Sequence, residues 1–250
     1  APQAQPFILA ARVDGPLPTT AADPIWQQAE ASFYPLVGQL MREPRNFTPR
    51  IQEIWVRALH NGSELALRLE WNDRFADQGE TTDLLTADSL AIEFPAELFE
   101  NDERPYFVFG EPGKPVNLWV WDASSNTIVE QTSEGVGSRV AHPSQDLTGR
   151  VEYEAGRYTL VVARSLVTTD EADLQIPQGE FVPIAFAAWD GASGEQAEFG
   201  AIGSWQAIYL EQPVPLLGYA WVPAAVLAAA GLEWGIARRV RNSAPKPGGR

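Results

Sequence analysis

The stretch IWVRALHNGSELALRLEW, residues 54–71, alternates apolar and polar side chains on both sides of an Asn61–Gly62 pair. Alternation with a period of two is typical of a half-buried β-strand, and Asn-Gly between two such runs indicates a tight hairpin. The sequence therefore predicts two antiparallel strands over residues 54–60 and 64–71. This hairpin favours an all-β fold.

Further segments of the same kind follow along the chain, separated by Gly, Pro, Asn and Asp residues. They lie at residues 89–94, 116–121, 157–163, 182–189 and 204–210. Helical periodicity is weak throughout this region. Short strands joined by turn residues predict an antiparallel two-sheet β-sandwich over residues 23–213, preceded by an extended arm at residues 1–22.

A different pattern occupies the C-terminal region, where residues 214–237 are apolar except for one charge, Glu233. About 20 apolar residues span a bilayer as a helix, so this segment predicts one transmembrane helix in contact with lipid. Aromatic side chains suit the two interfaces, and a basic tail at residues 238–250 is expected in the cytoplasm by the positive-inside rule. The predicted anchor residues are Tyr219, Trp221, Trp234, Arg238 and Arg239. The alternative is a helix buried in the soluble core.

The N-terminus has the sequence Ala-Pro-Gln-Ala-Gln-Pro, which is typical of a mature end after removal of a signal peptide. With the tail in the cytoplasm, the large domain is expected to face the periplasm from a bacterial cytoplasmic membrane.

The acidic and basic residues are unevenly distributed. Residues 1–213 hold 32 of the 33 acidic residues but only 13 of the 18 basic ones. Such a surface repels nucleic acid and attracts a cationic partner, for example a basic soluble cytochrome. The alternative is that the acidity serves solubility alone.

Few residue types suited to catalysis are present. The chain has no cysteine, which excludes disulfides, thiolate metal sites and covalently attached haem. Its two histidines are His60 and His142. No nucleophile elbow, phosphate loop or dinucleotide fingerprint occurs. Both histidines are predicted at the surface, and the chain is predicted not to be an enzyme.

Carboxylates are frequent between residues 70 and 83. Asp73, Asp77 and Asp83 are candidate calcium ligands, because Ca²⁺ prefers carboxylate and carbonyl oxygens. The spacing matches no EF-hand loop, and a solvated acidic loop is the alternative.

Several stretches together resemble one family, the haem-binding gamma subunits of ethylbenzene dehydrogenase and dimethyl sulfide dehydrogenase. The longest is PYFVFGEPGKPVNLWVW at residues 105–121. The others are DPIW at 23–26, VRALHNG at 56–62, EWND at 70–73, DSLAIEFP at 88–95, RSL at 164–166 and VPIAFAAWDG at 182–191, followed by Glu195 and Trp205. The resemblance implies a sandwich similar to family 9 carbohydrate-binding modules and a place in a periplasmic electron-transfer complex.

In the resembling family, one b-type haem is held by a methionine and a lysine. The corresponding positions in this chain are Phe109 and Gly200, neither of which can bind iron. We therefore predict that no cofactor is bound, with Phe109 buried and close to Gly200. The alternative is haem b held by substitute ligands, for which Met41, His60, Lys114 and His142 are the candidates.

Three functions follow from these observations. The first is a haem-free, membrane-anchored accessory subunit that binds the other subunits of a respiratory or photosynthetic redox complex. The second is an electron-transfer subunit with substitute haem ligands. The third is a carbohydrate-binding module, which the implied fold and the nine tryptophans suggest.

Overall fold

The computed structural model describes residues 7–79, 86–98, 103–170, 173–197, 199–213, 232–234, 236 and 238–239. The chain divides into two compact units, Ala1–Glu211 and Gln212–Arg250. All of the strands belong to the first unit.

The described residues form fourteen β-strands and two short 3₁₀ turns, Pro24–Gln28 and Gly191–Ser193. The strands are β1 (Ile8–Arg12), β2 (Ser32–Pro35), β3 (Val37–Gly38), β4 (Glu53–His60), β5 (Glu64–Asn72), β6 (Ser89–Pro95), β7 (Val116–Asp122), β8 (Thr127–Ser133), β9 (Val140–Ala141), β10 (Thr148–Glu154), β11 (Arg157–Ser165), β12 (Phe181–Trp189), β13 (Ala201–Ile202) and β14 (Gln206–Leu210). The predicted all-β class is confirmed, and each of the predicted strand segments overlaps an observed strand.

The hairpin predicted from the sequence joins β4 to β5 in the antiparallel register His60↔Leu65. Gly62 has φ = 92°, a left-handed conformation that glycine adopts without a steric penalty. The Asn61 side-chain oxygen accepts hydrogen bonds from the Ser63 and Glu64 N–H groups at 3.0 and 2.8 Å. Local sequence thus determines this turn.

One strand, β12, connects two groups of strands. Its first part, Phe181–Ile184, pairs with β14 in the group β10-β11-β5-β4-β1-β14. Its second part, Ala185–Trp189, pairs with β6 in the group β6-β7-β8-β9. We call these groups the first and the second layer. The hydrogen-bonded path therefore runs through both layers without a break.

The first layer contains parallel pairing, because β1 lies parallel to both neighbours, with Ala10 opposite Ala58 and Ile8 opposite Ile208. The prediction of a purely antiparallel fold is wrong at this strand. Parallel neighbours need long connections, and β1 and β14 lie at opposite ends of the first unit's sequence. The predicted arm at residues 1–22 contributes this strand, which lies between β4 and β14.

The two layers enclose one apolar core. Trp71 of β5 stacks on Tyr158 of β11, with ring centroids 5.1 Å apart, and both rings contact Trp121 of β7 in the second layer, at 5.8 and 5.0 Å. Burial of large aromatic side chains is a major source of folding free energy. These contacts make the fold a sandwich.

Each layer also has a covered outer face. Trp26, from the first 3₁₀ turn, packs with Leu59 and Ala66 on the outside of the first layer. Phe109 and Trp189 pack with Leu118 on the outside of the second layer. Both faces of each layer are therefore covered over part of their area. The cluster on the outside of the second layer contains Phe109, one of the two positions that the resemblance matches to haem ligands.

A buried ion-pair network links two strands and a loop. Arg164 of β11 donates to Glu130 of β8 and to Asp173, both at 2.8 Å, and all three side chains are fully buried. The Asn117 amide donates to both carboxylates at 2.9 Å. Removing one member would leave buried charge uncompensated.

The described part of the second unit is helical at residues 232–234, 236 and 238–239, where Trp234 is 61% exposed and the Arg238 guanidinium lies 5.2 Å from its ring. Within the described residues, no helix has the length and apolar character that a membrane crossing needs. Most of the predicted span, including Tyr219 and Trp221, lies outside the described residues, as does most of the predicted tail.

His60 is fully buried at the end of β4, and burial lowers the pKa of its imidazole below the usual 6.5. The unfolded chain therefore binds a proton at His60 more readily than the folded chain does. Burial of His60 therefore does not reduce the free energy of unfolding above about pH 6.5. Below that value, it reduces this free energy increasingly as the pH falls. We expect the melting temperature of His60→Leu to fall less than that of the wild type between about pH 7.5 and pH 5.5. Equal slopes in a thermal melt series would contradict this.

Candidate functional site

Phe109 occupies an unusual backbone position at the end of a turn over residues 107–109. Its φ is 62°, in the left-handed region that bulky side chains rarely adopt. Its N–H donates to the Glu93 carboxyl, and its carbonyl accepts from the Gly135 N–H at 2.7 Å. These bonds hold the backbone while the phenyl ring, 3% exposed, packs on the second layer.

The Glu93 carboxyl accepts the hydrogen bond from this turn. It lies on β6 and is 2% exposed. Burial raises the pKa of its carboxyl well above the usual range, and the hydrogen bond from Phe109 offsets only part of that rise. Burial therefore disfavours a negative charge on this side chain.

Trp189 lies against both Phe109 and Gly200, the two positions that the resemblance matches to haem ligands. Its indole stacks on the Phe109 ring with centroids 5.9 Å apart and planes 17° apart. A Cβ atom added to Gly200 would lie 2.5 Å from the indole Nε1, closer than any real contact. Because Gly200 has no side chain, the Trp189 indole can occupy this space. The indole N–H donates to the Ala197 carbonyl at 3.0 Å.

Arg139 covers this aromatic pair from one side. Its guanidinium carbon lies 5.3 Å from the Phe109 ring centroid and 5.4 Å from that of Trp189. Cation–π contacts of this kind stabilise by about 0.5–2 kcal/mol, depending on exposure. We refer to Phe109, Trp189 and Arg139 as the aromatic stack.

A groove of about 900 Å³ lies beside the stack on the outer face of β6, β7 and β8. Eight of its seventeen described lining residues carry hydroxyl or amide side chains, which suit a polar ligand. The described lining residues are Gln78, Gly79, Thr86, Ala87, Ser89, Val120, Asp122, Ser124, Ser125, Thr127, Val129, Gln131, Arg139, Trp189, Glu195, Gln196 and Ala197. None of these is a His, Met, Lys, Cys or Tyr, the residue types that bind haem iron.

The candidate substitute ligands lie elsewhere. Met41 is 56% exposed between β3 and β4, and Lys114 forms ion pairs with Glu103 and Glu111 at 3.2 and 3.8 Å. His60 is buried in the first layer, and the His142 ring bonds to the Ser144 backbone at 3.1 Å.

Both histidines were predicted at the surface, and that prediction is wrong. His60 is fully buried at the end of β4, where it pairs with Arg12 of β1 and with Leu65 of β5, and His142 is 6% exposed. The described residues therefore do not fit a haem held by two side chains beside Phe109 and Gly200.

A second group of polar residues lies at the end of the groove. Asp73, Asp88 and Asp190 are all buried, and one oxygen of each carboxylate lies within 4.8 Å of the others. Burial, and next the charge of Asp88, raise the pKa of Asp73 to about 7. Asp77 lies next to this group, since its N–H donates to Asp88 at 2.7 Å.

Sequence reasoning found one member of this group. Asp73 and Asp77 were among the calcium candidates, whereas Asp83 lies outside the described residues. Asp88 and Asp190 were missed as ligands, although both directly adjoin a predicted strand end. That adjacency is the signal that could have found them.

The sequence is similar to one protein family and to two subunits of reductases. The sequence model of the family described as ethylbenzene dehydrogenase matches residues 23–139. A Haloferax mediterranei protein named as a respiratory nitrate reductase haem subunit is 26% identical over 188 residues, which cover 75% of this chain and 66% of that protein. The chlorate reductase gamma subunit of Ideonella dechloratans is 28% identical over 208 residues, which cover 80% of this chain and 83% of that subunit.

Similar solved structures include a family 9 carbohydrate-binding module from Caldicellulosiruptor kristjanssonii. Its complexes with glucose and with cellotriose both have a TM-score of 0.52 and identities of 11% and 14%. Each match covers 83% of this chain, and 97% and 95% of the module. This likeness establishes the sandwich fold alone.

Truncation of Phe109 tests how much the aromatic stack contributes to stability. We expect Phe109→Ala to lower the free energy of unfolding by about 3–5 kcal/mol, because the ring is buried and its removal leaves a cavity against Trp189. Phe47→Ala is the matched control, since Phe47 is 73% exposed. Equal losses of unfolding free energy in urea for the two variants would show that the buried Phe109 ring stabilises the fold no more than an exposed ring does.

Proposed function

The chain resembles the ethylbenzene dehydrogenase family over residues 23–139, and from this premise we propose that it is a non-catalytic, haem-free subunit of a periplasm-facing redox complex. Its partners are the other subunits of that complex. Its role is to dock and anchor, and electron transfer passes through other subunits.

The relatives support the place in a complex. Two of them are named as subunits of a nitrate reductase and of a chlorate reductase, and they match 75% and 80% of this chain. Both matches extend well beyond the region of the family's sequence model, so the resemblance involves most of the sandwich.

The aromatic stack is the observation that carries the haem-free part of the proposal. A phenyl ring at residue 109 offers no lone pair to iron, and Gly200 offers no side chain. Trp189 contacts both positions, so a ligand introduced at Gly200 would collide with the indole. The apolar contacts that a haem face provides in such a site come here from protein side chains.

The apolar segment at residues 214–237 supports anchoring in a membrane, and the basic residues after it support an orientation with the large domain in the periplasm. The acidity of residues 1–213 supports contact with a cationic surface, such as that of a basic soluble cytochrome.

The experiment is purification of the tagged full chain in mild detergent from the membranes of cells that produce it. We expect larger oxidoreductase subunits to co-purify, identified by mass spectrometry. We expect the recombinant full chain, titrated with haemin, to show no Soret band of a haem with two axial protein ligands.

Two results would overturn the proposal. A recombinant chain that binds one haem with two protein ligands would support the electron-transfer alternative. A tagged chain that purifies alone, or from the soluble fraction, would remove the docking and anchoring roles. Phe109→Ala serves as a control in the haemin titration. The truncation opens a cavity in which haemin can adsorb weakly, and adsorbed haemin lacks the spectrum of axial ligation.

A further inference from the structure

Three strand ends meet where Asp73, Asp88 and Asp190 cluster. Asp73 directly follows β5, Asp88 directly precedes β6, and Asp190 directly follows β12. The three residues are 6%, 0% and 7% exposed. Strands of both layers therefore contribute carboxylates to one buried point.

No described cation forms an ion pair with these three carboxylates. Asp88 accepts hydrogen bonds from the Gly191 N–H, the Asp77 N–H and the Tyr158 hydroxyl, at 2.8, 2.7 and 2.7 Å. Asp190 accepts from the Ser193 N–H and hydroxyl at 3.0 and 3.2 Å. All of these donors are neutral, so the bonds orient the carboxylates without bringing a positive charge to them.

One oxygen of the cluster has no donor at all among the described residues. Asp73 Oδ1 accepts from the Phe75 N–H at 3.2 Å, whereas Oδ2 is buried without a hydrogen-bond partner. An unpaired buried carboxylate oxygen opposes folding unless a cation or a hydrogen-bond donor faces it. The effect is larger here because the neighbouring side chains are also carboxylates.

We propose that Asp73, Asp88 and Asp190 together bind a calcium ion. Oxygen-only ligands select hard cations, and Ca²⁺ binds oxygens at 2.3–2.6 Å, so two of its ligands lie at most about 5 Å apart. The 4.8 Å limit on the cluster's oxygens satisfies this condition. A cavity of about 340 Å³ borders Asp73 and Asp190 and gives room for the water molecules that complete the coordination.

Arg50 and Arg74 line the same cavity and are the competing source of positive charge. Neither makes an ion pair with Asp73 or Asp190 among the described contacts. A guanidinium that moved onto the cluster would neutralise it without metal, and the experiment below separates the two cases.

Binding of Ca²⁺ would fix one wall of the groove. Asp190 begins the segment that leads to Glu195, Gln196 and Ala197, all of which line the groove. Asp190 also directly follows Trp189 of the aromatic stack. The ion would thus hold the ends of β5, β6 and β12 together beside the groove, which is a role independent of the function proposed above.

The test uses the full chain after treatment with EDTA and removal of the chelator. Titration with CaCl₂ in a calorimeter is expected to show one ion bound per chain, with a higher melting temperature in Ca²⁺ than in EDTA. Mg²⁺ at equal concentration is expected to bind more weakly, since it demands a tighter octahedral site. Absence of Ca²⁺ binding by the wild type would overturn the proposal and favour the arginines.

Variants assign the binding to this cluster. Asp73→Asn and Asp190→Asn are each expected to weaken Ca²⁺ binding by about tenfold or more. Without calcium, Asp73→Asn should melt no lower than the wild type, because it removes like-charge repulsion. Asp146→Asn, at an exposed residue, is the matched control and should leave binding unchanged. Undiminished binding in the two cluster variants would place the ion elsewhere and refute the assignment.

Discussion

The change of partner within β12 is the constraint on which the rest of the structure depends. Between Ile184 and Ala185 the strand leaves β14 and begins to pair with β6. Pro183 lies just before this point and cannot donate to either ladder, which is typical of a place where regular pairing ends. Because one strand belongs to both layers, their relative position is set by backbone hydrogen bonds as well as by the core.

The C-terminal end of β12 adjoins both the aromatic stack and the carboxylate cluster, so the pairing of this strand positions both. Trp189 lies where the strand ends, and its position decides what fits at residues 109 and 200. A phenyl ring at Phe109 and an absent side chain at Gly200 are complementary changes, because the stacked indole needs a flat partner on one side and space on the other. Phe109 and Gly200 therefore belong to one packing arrangement around Trp189.

Local pattern predicted the hairpin, the strand segments and the class of the fold, since alternation and turn residues act over a few positions. It could not predict the parallel β1, because the pairing of Ile8 with Ile208 links the two ends of the domain. The burial of His60 escaped for the same reason. The carboxylate cluster was found only in part, because Asp73, Asp88 and Asp190 meet through tertiary pairing that no local spacing records.

Under the proposed haem-free function, protein side chains alone supply the packing around Phe109 and Gly200. The aromatic stack supplies apolar burial that needs no ligand, over the part of the second layer's outer face that Phe109 and Trp189 cover. The carboxylate cluster has the opposite character, because burial disfavours the charge of three adjacent carboxylates and a bound cation would offset that penalty. A Ca²⁺ ion bound as proposed would therefore add stability at the ends of β5, β6 and β12, whereas the aromatic stack adds stability at the outer face of the second layer without a bound group.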